Sequence, residues 1–347
     1  MWFYSVVLLF VITLLSAGYF FRIQKESYWS CIILLMLMAA FRSAGSNEDY
    51  HFYLDYYEHI SDMPFSFLEP TYHLITKISS TLFHGPIGVF IIYSILGTGL
   101  KGIALLRLTK YYSISLILYY CSFFLLHEMT QIRVGVASAI LLLSIPSIEE
   151  RNWKRFLLLM IIGTLFHYSF IVFGFCYFLN PRRIHAPLYL GVIGATYIAV
   201  LAGLNLTVIF EFIKLGFISD KIATYKMLLE QGIFGSILLL NPLLLLRFLV
   251  LWFMIWHHDI LMEKNVYSII LIKIYAFSIF FFIAFADLPV LAGRISQLLG
   301  IVEIVLIPFV VYILKPKYLA AALAIIFGML IMYKQLYYSD LLHSYFQ

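Results

Sequence analysis

The chain has 347 residues, of which 63% are hydrophobic and 12% are charged, and its mean hydropathy is +0.96. This composition excludes a soluble globular domain and predicts an all-α integral membrane protein. The net charge of +5 comes from Lys and Arg residues spread between apolar runs, so it does not predict nucleic-acid binding.

Apolar runs long enough to cross a membrane recur along the chain. A bilayer core about 30 Å thick needs roughly 20 apolar residues per helix, and Phe3 to Phe20, Ile87 to Leu106 and Gly232 to Trp256 meet this requirement. Continuous runs of Leu, Ile and Phe favour helices over alternating strands. We predict about twelve spans in a single membrane domain, residues 1–347, with both termini outside.

The basic residues between these runs fall on one side of the membrane in this topology. They are Arg22/Lys25, Arg107/Lys110, Arg151/Lys154/Arg155, Arg182/Arg183 and Lys315/Lys317. Because cytoplasmic loops carry an excess of Lys and Arg, we assign this side to the cytoplasm. The assignment requires residues 151–183 to cross twice, with an outer turn at residues 166–169.

Two amphipathic helices are predicted on the outer surface, in loops at residues 43–86 and 207–231. The first, Glu69 to His84, has Pro70 at a position that suits the start of a helix. Its apolar positions recur at helical spacing, at Tyr72, Ile75, Ile78 and Leu82. The second, Glu211 to Gln231, shows a similar pattern through Ile218, Ile222, Tyr225 and Leu229.

Several polar side chains gather at the outer ends of their segments in this topology. They are Arg42, Asp49, Glu69, Gln131, Arg133, His167 and Arg294. A charge at the membrane centre costs at least about 2.5–3.5 kcal/mol on insertion scales, so several charges on one side predict a shared polar cavity. Lys101, Arg247 and Lys273 do not fit this group, and we interpret them as structural or inner-leaflet residues.

The residue types in this group indicate the ligand. Arginine stays charged and offers a planar fork of donors that suits phosphate. Carboxylates bond sugar hydroxyls, and aromatic rings stack on the apolar faces of sugars, so the acidic and aromatic stretch after Arg42 is a candidate glycan-binding loop. The zinc motif His-Glu-x-x-His is absent, because the pair His127/Glu128 lacks a second histidine, and we predict neither a metal nor a cofactor.

The order of these motifs resembles the EpsG-type branch of the Wzy polymerases, which elongate O-antigen, capsule and exopolysaccharide chains outside the cytoplasmic membrane. The resemblance lies in Arg42 followed by Asp49, Tyr50 and Tyr53, in EPTY (69–72), QIRVGVA (131–137) and FHYS (166–169), and in the late Arg294. The interval after Arg42 departs from the short family pattern, so Glu48 is an alternative to Asp49 for the acidic role.

The resemblance implies a membrane glycosyltransferase with a helical bundle like that of the GT-C superfamily. Its active site would lie on the periplasmic face of the bacterial cytoplasmic membrane. Its substrates would be a donor and an acceptor glycan, both linked to undecaprenyl pyrophosphate, within the membrane lipid. A chain-length regulator and a flippase would be further partners.

The predicted reaction is metal-independent and inverting. Arg133 and Arg294, with Arg42 as a third candidate, would hold the pyrophosphate of the donor and stabilise the charge that develops as the glycosyl bond breaks. A proton acceptor would take the hydroxyl proton of the incoming repeat unit, and Asp49, Glu69 and His167 are unranked candidates for it. The predicted substrate-binding residues are Arg42, Tyr50, Tyr53, Tyr56, Tyr72, Gln131 and Ser169.

Two other classes of function remain open from the sequence. A lipid-linked oligosaccharide flippase or other transporter would line a path through both leaflets, and Arg247 and Lys273 are the residues that favour it. A membrane O-acyltransferase would use an intramembrane histidine on a cytosolic acyl donor. His167 lies on the opposite side in the predicted topology.

Overall fold

The computed structural model describes residues 2–60, 69–204, 227, 239–339, 341–342 and 345. These residues form helices joined by short turns, and none of the described residues lies in a β-strand. The predicted all-α class is therefore confirmed. The second predicted amphipathic helix, Glu211 to Gln231, and the loop at residues 207–231 lie outside the described residues, apart from Met227.

The chain divides into two compact units. The first contains Met1–Tyr177 and Ile304–Gln347, and the second contains Phe178–Glu303. The single membrane domain over residues 1–347 stays a prediction.

Within the described ranges, the first unit begins with eight α-helices, a π-helix and a 3₁₀-helix. They are α1 (Trp2–Phe20), α2 (Gln24–Ala40), α3 (Glu48–Glu58), α4 (Pro70–Leu82), α5 (Ile87–Leu108), α6 (Tyr112–Tyr119), the π-helix Tyr120–Glu128, α7 (Ile132–Glu149), α8 (Trp153–Phe166) and the 3₁₀-helix Tyr168–Phe178. A single 3₁₀ turn, Ala44–Ser46, precedes α3.

The second unit contains α9 (Ala186–Leu201), α10 (Pro242–Trp256), α11 (His258–Lys264), α12 (Ser268–Ala284) and α13 (Pro289–Gly300). The chain then returns to the first unit. This return consists of α14 (Glu303–Leu306), the 3₁₀ turn Ile307–Phe309, α15 (Val310–Ile313) and α16 (Lys317–Tyr337).

The described residues contain five helices that are long and apolar enough to cross a membrane: Trp2–Phe20, Ile87–Leu108, Ile132–Glu149, Pro289–Ile313 and Lys317–Tyr337. The pair α10 and α11, bent by 71°, makes a sixth candidate. A multi-pass membrane protein is thus supported, whereas the count of about twelve spans stays a prediction. Three further apolar helices have fewer than 18 residues, and the predicted span from Gly232 begins among residues that are not described.

α7 is the most enclosed long helix of the first unit, because almost all of its residues are buried. Its first half is rich in small residues, among them Gly135, Ala137 and Ala139. Small residues let neighbouring helix backbones approach closely in membrane bundles. A side chain in the first turn of α7 is therefore carried by a tightly packed element.

α4 confirms the helix that was predicted after Glu69, whereas its position on the outer membrane surface stays a prediction. Ile78 and Leu82 are exposed, at 36% and 69%, while Thr76 and Ser79 are buried with Tyr72 and Ile75. Two of the four predicted apolar positions, Tyr72 and Ile75, thus pack inside the protein, and the other two are exposed. Lipid accepts apolar side chains as readily as a protein core does, so small polar residues can face the bundle instead.

Residues 151–177 form a hairpin whose turn lies at His167. The backbone of His167 is extended, with φ −156° and ψ 117°, which ends α8. At the far ends, Arg151 Nη1 donates to the Tyr177 carbonyl at 2.5 Å, and the Tyr177 hydroxyl donates to the Arg151 carbonyl at 2.8 Å. The predicted turn at residues 166–169 is therefore confirmed.

Candidate active site

The structure brings Glu69, Arg133 and His167 together from three elements. Glu69 immediately precedes α4, Arg133 is the second residue of α7, and His167 follows α8. Arg133 Nη1 donates to Glu69 Oε2, and His167 Nδ1 lies 3.0 Å from Glu69 Oε1. This group, hereafter the charged triad, contains two of the three predicted proton acceptors and one of the three candidate phosphate-binding arginines.

The Glu69 carboxylate is the buried centre of the charged triad, with a residue exposure of 4%. Burial alone would raise the pKa of this carboxyl, but the hydrogen bond with His167 and the charge of Arg133 outweigh burial and lower the pKa from 4.5 to about 2. Glu69 is therefore ionised at neutral pH. The side chain of Arg133 is 18% exposed, against 7% for His167, so the guanidinium is the more open to a ligand.

Local sequence explains why Glu69 points into the triad. Pro70 starts α4 and fixes the chain just after Glu69, whose own backbone is extended at φ −63° and ψ 140°. The Glu69 side chain makes no capping bond to α4. Thr71 Oγ1 donates to the Leu165 carbonyl at 2.7 Å, which ties the start of α4 to the end of α8 beside His167.

Three of the predicted sugar-binding tyrosines form an aromatic wall beside the triad. The Tyr53 and Tyr56 rings lie 5.9 Å and 6.3 Å from the Tyr72 ring, and all three residues are buried. The Tyr72 hydroxyl donates to the Tyr53 carbonyl at 3.0 Å, and the Tyr53 side chain is hydrogen-bonded to Arg133. Direct stacking on a sugar stays a prediction for these residues.

Arg42 holds the segment that leads into α7. It is buried, and its Nη1 donates to the carbonyl oxygens of Glu128, at 2.7 Å, and Met129. Its guanidinium carbon lies 4.4 Å from the centroid of the Phe90 ring, on which Tyr50 also stacks at 4.8 Å. The predicted contact between Arg42 and phosphate is not needed to explain its position, and it stays a prediction.

The other predicted residues of the first unit lie near the same elements. Asp49 is half-buried at the second position of α3, where its charge raises the pKa of the Tyr53 hydroxyl alongside the larger effect of burial. Gln131 directly precedes α7, and its buried Oε1 has no hydrogen-bond partner within the part of the chain that the structure describes. Ser169 is half-buried in the 3₁₀-helix after His167. Nothing is described of the side chain of Glu48.

The second unit contains the remaining predicted residues. Arg294 is exposed on α13, and its part in the site stays a prediction. Arg247 Nε lies 3.1 Å from Glu303 Oε2, and Lys273 Nζ donates to the Asn180 carbonyl at 2.6 Å. These contacts agree with the structural role assigned to Arg247 and Lys273.

Sequence reasoning missed a second buried ion pair in the first unit. Lys101 Nζ lies 2.5 Å from Glu128 Oε1, and the side chains are 0% and 1% exposed. Glu128 was considered only as half of an absent zinc motif. The available signal was a lysine in the middle of a long apolar helix, because such a charge needs a partner inside the membrane.

The charged triad combines a cation, an ionised carboxylate and an imidazole. The cation can hold an anionic group, and the imidazole, oriented by the carboxylate, can accept a proton. Across the described ranges, no group of three or more His, Cys, Asp or Glu side chains is placed to hold a metal ion.

Comparison with known proteins gives one family match. A family model described as the EpsG family matches residues 26–347. The matched region includes the charged triad, the aromatic wall and all other predicted site residues. Neither the curated proteins nor the solved structures contain a significant match.

Proposed function

The chain belongs to the EpsG family, and from this premise we propose that it is a polysaccharide polymerase, a membrane glycosyltransferase acting on repeat units carried by undecaprenyl pyrophosphate. The reaction would occur on the periplasmic face of the bacterial cytoplasmic membrane, during synthesis of O-antigen, capsule or exopolysaccharide. The observation that carries the proposal is the charged triad, which places a phosphate-binding side chain next to a candidate proton acceptor.

In the proposed reaction, the hydroxyl oxygen of the acceptor repeat unit attacks the anomeric carbon of the donor glycan. The bond from that carbon to the pyrophosphate oxygen breaks, and its electron pair leaves with undecaprenyl pyrophosphate. Attack from the opposite face inverts the anomeric configuration. Catalysis then requires stabilisation of the leaving pyrophosphate and removal of one proton from the acceptor.

Arg133 is the proposed ligand of the pyrophosphate. A guanidinium has five N–H donors, and Glu69 and Tyr53 occupy only part of this fork. The bond to Glu69 fixes the orientation of Arg133 before substrate binds, which is the preorganisation that electrostatic catalysis requires. Arg294 and Arg42 are second and third candidates for the same role, carried over from the family pattern.

His167 is the preferred proton acceptor. Glu69, with a pKa of about 2, holds a proton too weakly to be an effective base at neutral pH. The contact between Glu69 Oε1 and His167 Nδ1, at 3.0 Å, orients the imidazole and directs proton transfer to Nε2. Glu69 is then a positioning residue, and Asp49 is the remaining alternative for the base.

The other predicted residues and partners complete the proposal. Gln131, Ser169 and the aromatic residues of α3 and α4 would contact the sugars, and the helices would form a bundle like that of the GT-C superfamily. A flippase would supply the repeat units, and a chain-length regulator would set the product length. The proposed mechanism needs no metal ion, since cationic side chains take its role.

No specific observation favours the other two functions. Arg247 and Lys273 would favour a transporter if they lined a polar path, but each is engaged by the protein, at 3.1 Å to Glu303 and 2.6 Å to Asn180. A membrane O-acyltransferase requires His167 to reach a cytosolic donor. The predicted topology argues against that arrangement, and the labelling experiment described below tests it.

The direct test is polymerisation by the purified protein. A synthetic undecaprenyl-pyrophosphate repeat unit is supplied with EDTA present, and glycan ladders are resolved on a gel. We expect wild-type protein to form ladders, and Arg133→Ala and His167→Gln to lower the rate by about 10²-fold or more. Arg155→Ala, at a half-exposed site, and His59→Gln, at an exposed site, are matched controls, and both should polymerise like wild type.

A separate experimental result would contradict each part of the proposal. If wild type forms no ladder with several cognate repeat units, the polymerase assignment is wrong. Full activity of Arg133→Ala would remove Arg133 from catalysis. A ladder that disappears with EDTA and returns with a divalent cation would show that the metal-independent mechanism is wrong.

A further inference from the structure

We propose that the buried Lys101–Glu128 pair is a positioning device for Arg133, which it holds at the depth and rotation that the active site needs. The kinetic part of the inference rests on the proposed function, because it predicts a change in kcat. The structural part can be tested without an activity assay. Neither Lys101 nor Glu128 belongs to the charged triad.

The pair is an enclosed network rather than an isolated contact. Lys101 Nζ donates to Glu128 Oε1 at 2.5 Å and to the Gly135 carbonyl at 2.6 Å. The Tyr119 hydroxyl donates to the same Glu128 oxygen at 3.0 Å. Lys101 thus connects α5 to two other elements, the end of the π-helix and the first turns of α7.

Two glycines make room for the Glu128 carboxylate. A Cβ atom at Gly97 would lie 2.1 Å from Glu128 Oε2, and one at Gly135 would lie 2.9 Å from it. Real Cβ atoms do not approach oxygen so closely, so any side chain at these positions would displace the carboxylate. The lack of a side chain at Gly97 and Gly135 lets the Glu128 carboxylate lie directly against the α5 and α7 backbones.

The same segment is also held from the α2 side. Arg42 Nη1 donates to the carbonyl oxygens of Glu128 and Met129, and Asn47 Nδ2 donates to the Met129 carbonyl at 2.8 Å. Glu128 and Met129 are therefore held by bonds from α5 and from the chain that joins α2 to α3. These bonds lie at the end of the π-helix, a form that is often found at functional sites.

Arg133 lies between the two points that Lys101 fixes, Glu128 before it and Gly135 after it. Its position relative to Glu69 therefore depends on this network. A buried ion pair contributes little to net stability compared with apolar side chains of similar volume. A positioning role explains why this pair occupies an otherwise apolar helix, and a misplacement of about 1 Å can reduce a reaction rate by about 10²-fold.

The test replaces both partners, because removal of one would leave an unpaired buried charge and strongly destabilise the protein. The double variant Lys101→Met/Glu128→Gln is compared with Lys154→Met/Glu150→Gln, which removes a lysine and a glutamate from exposed positions. Hydrogen–deuterium exchange is measured on the purified full-length proteins. We expect exchange roughly tenfold faster at residues 129–135 of the buried-pair variant, with little change in α1 and α16.

Kinetics separate positioning from general destabilisation. We expect the buried-pair variant to lose about 10–100-fold in kcat with little change in KM, because the sugars still bind but the guanidinium is displaced. The same double substitution in an Arg133→Lys background should cost less than threefold. A merely structural role would lower the rate by the same factor in both backgrounds.

Two outcomes would overturn the inference. One is unchanged exchange at residues 129–135 in the buried-pair variant, and the other is an equal loss of kcat with and without Arg133. If wild type does not polymerise at all, only the proposed function fails, and hydrogen exchange still decides whether Lys101 and Glu128 hold the start of α7.

Discussion

Glu69 determines the electrostatics of the charged triad because it contacts both other members. Its carboxylate lies between the side chains of Arg133 and His167 and is a hydrogen-bond partner of each. Without this carboxylate, a buried guanidinium would lack its ion-pair partner. We therefore expect Glu69 to matter for stability as well as for activity.

The pH dependence of stability tests this role of Glu69. A pKa lowered from 4.5 to about 2 means that Glu69 stabilises the folded state fully above about pH 4.5 and that this contribution is lost as the pH falls toward 2. We expect Glu69→Gln to destabilise the protein by about 2–3 kcal/mol at neutral pH. The difference in Tm from wild type should be constant from pH 8 to about pH 5 and should shrink below about pH 4.5.

Glu58→Gln, at an exposed position at the end of α3, is the control and should match wild type at every pH. Thermal unfolding in detergent, monitored by intrinsic fluorescence, gives the Tm values. A difference that grows as the solution becomes more acidic would contradict the assigned ionisation of Glu69.

The members of the triad could be predicted because each is a charged or polar residue next to an apolar run. Such a residue is unusual there unless it has a structural or functional role. The roles of the tyrosines were harder to predict. Tyr53, Tyr56 and Tyr72 are typical of an interfacial belt or of a sugar platform, and their burial follows from how α3 packs on α4. No local pattern encodes that contact.

The hairpin of α8 and the 3₁₀-helix is the element that places His167. Gly163, one turn before the end of α8, packs directly against Phe170, and a Cβ atom at Gly163 would lie 2.4 Å from the Phe170 ring. The two arms approach closely only because position 163 has no side chain. This contact fixes the turn that presents the imidazole.

Enlarging Gly163 should therefore displace the turn. We expect Gly163→Leu to lower stability by about 1–3 kcal/mol and to reduce polymerisation, because the arms must separate. Phe170→Ala in the same chain should restore part of both losses by making space. Gly191→Ala on α9 is the control, since nothing lies within 4 Å of its Cβ position. A Gly163→Leu protein as stable as wild type would show that the close packing of the arms is unimportant.

Helices with a local signal were predicted with nearly correct bounds, and the π-helix was not predicted at all. Pro70 marks the start of α4. The positions of the basic residues require residues 151–183 to cross the membrane twice, and this requirement predicted the break near His167. In the sequence, Tyr120–Glu128 cannot be distinguished from part of an ordinary apolar α-helical span. The carbonyl groups at its end accept bonds from Arg42 and Asn47, which come from a distant part of the chain.

Across the whole chain, composition was sufficient for the membrane class but not for the number of crossings. Length and hydropathy identify only helices of 18 residues or more, and several apolar helices here are shorter. The division into two units also has no signal in the sequence, since neither composition nor linkers change at Tyr177 or Glu303. Both features arise from packing between segments.

The side of the membrane on which His167 lies decides between a polymerase and an O-acyltransferase. α8 has 14 residues, so its ends are about 20 Å apart, with Lys154 at one end and His167 beyond the other. The basic residues predict that the Lys154 end is cytoplasmic and that the loop containing α3 is outside. Reagents that do not cross membranes can measure both positions.

Cysteine labelling is well suited to this chain because Cys31, Cys121 and Cys176 are all buried. We expect His59→Cys, at the exposed end of α3, to react with an impermeant maleimide in intact spheroplasts, and Lys154→Cys to react only after the membrane is opened. Wild type is the background control. The reverse pattern would place the charged triad toward the cytoplasm, where an undecaprenyl-linked glycan on the outer face could not reach it, and the polymerase proposal would then give way to a cytosolic donor.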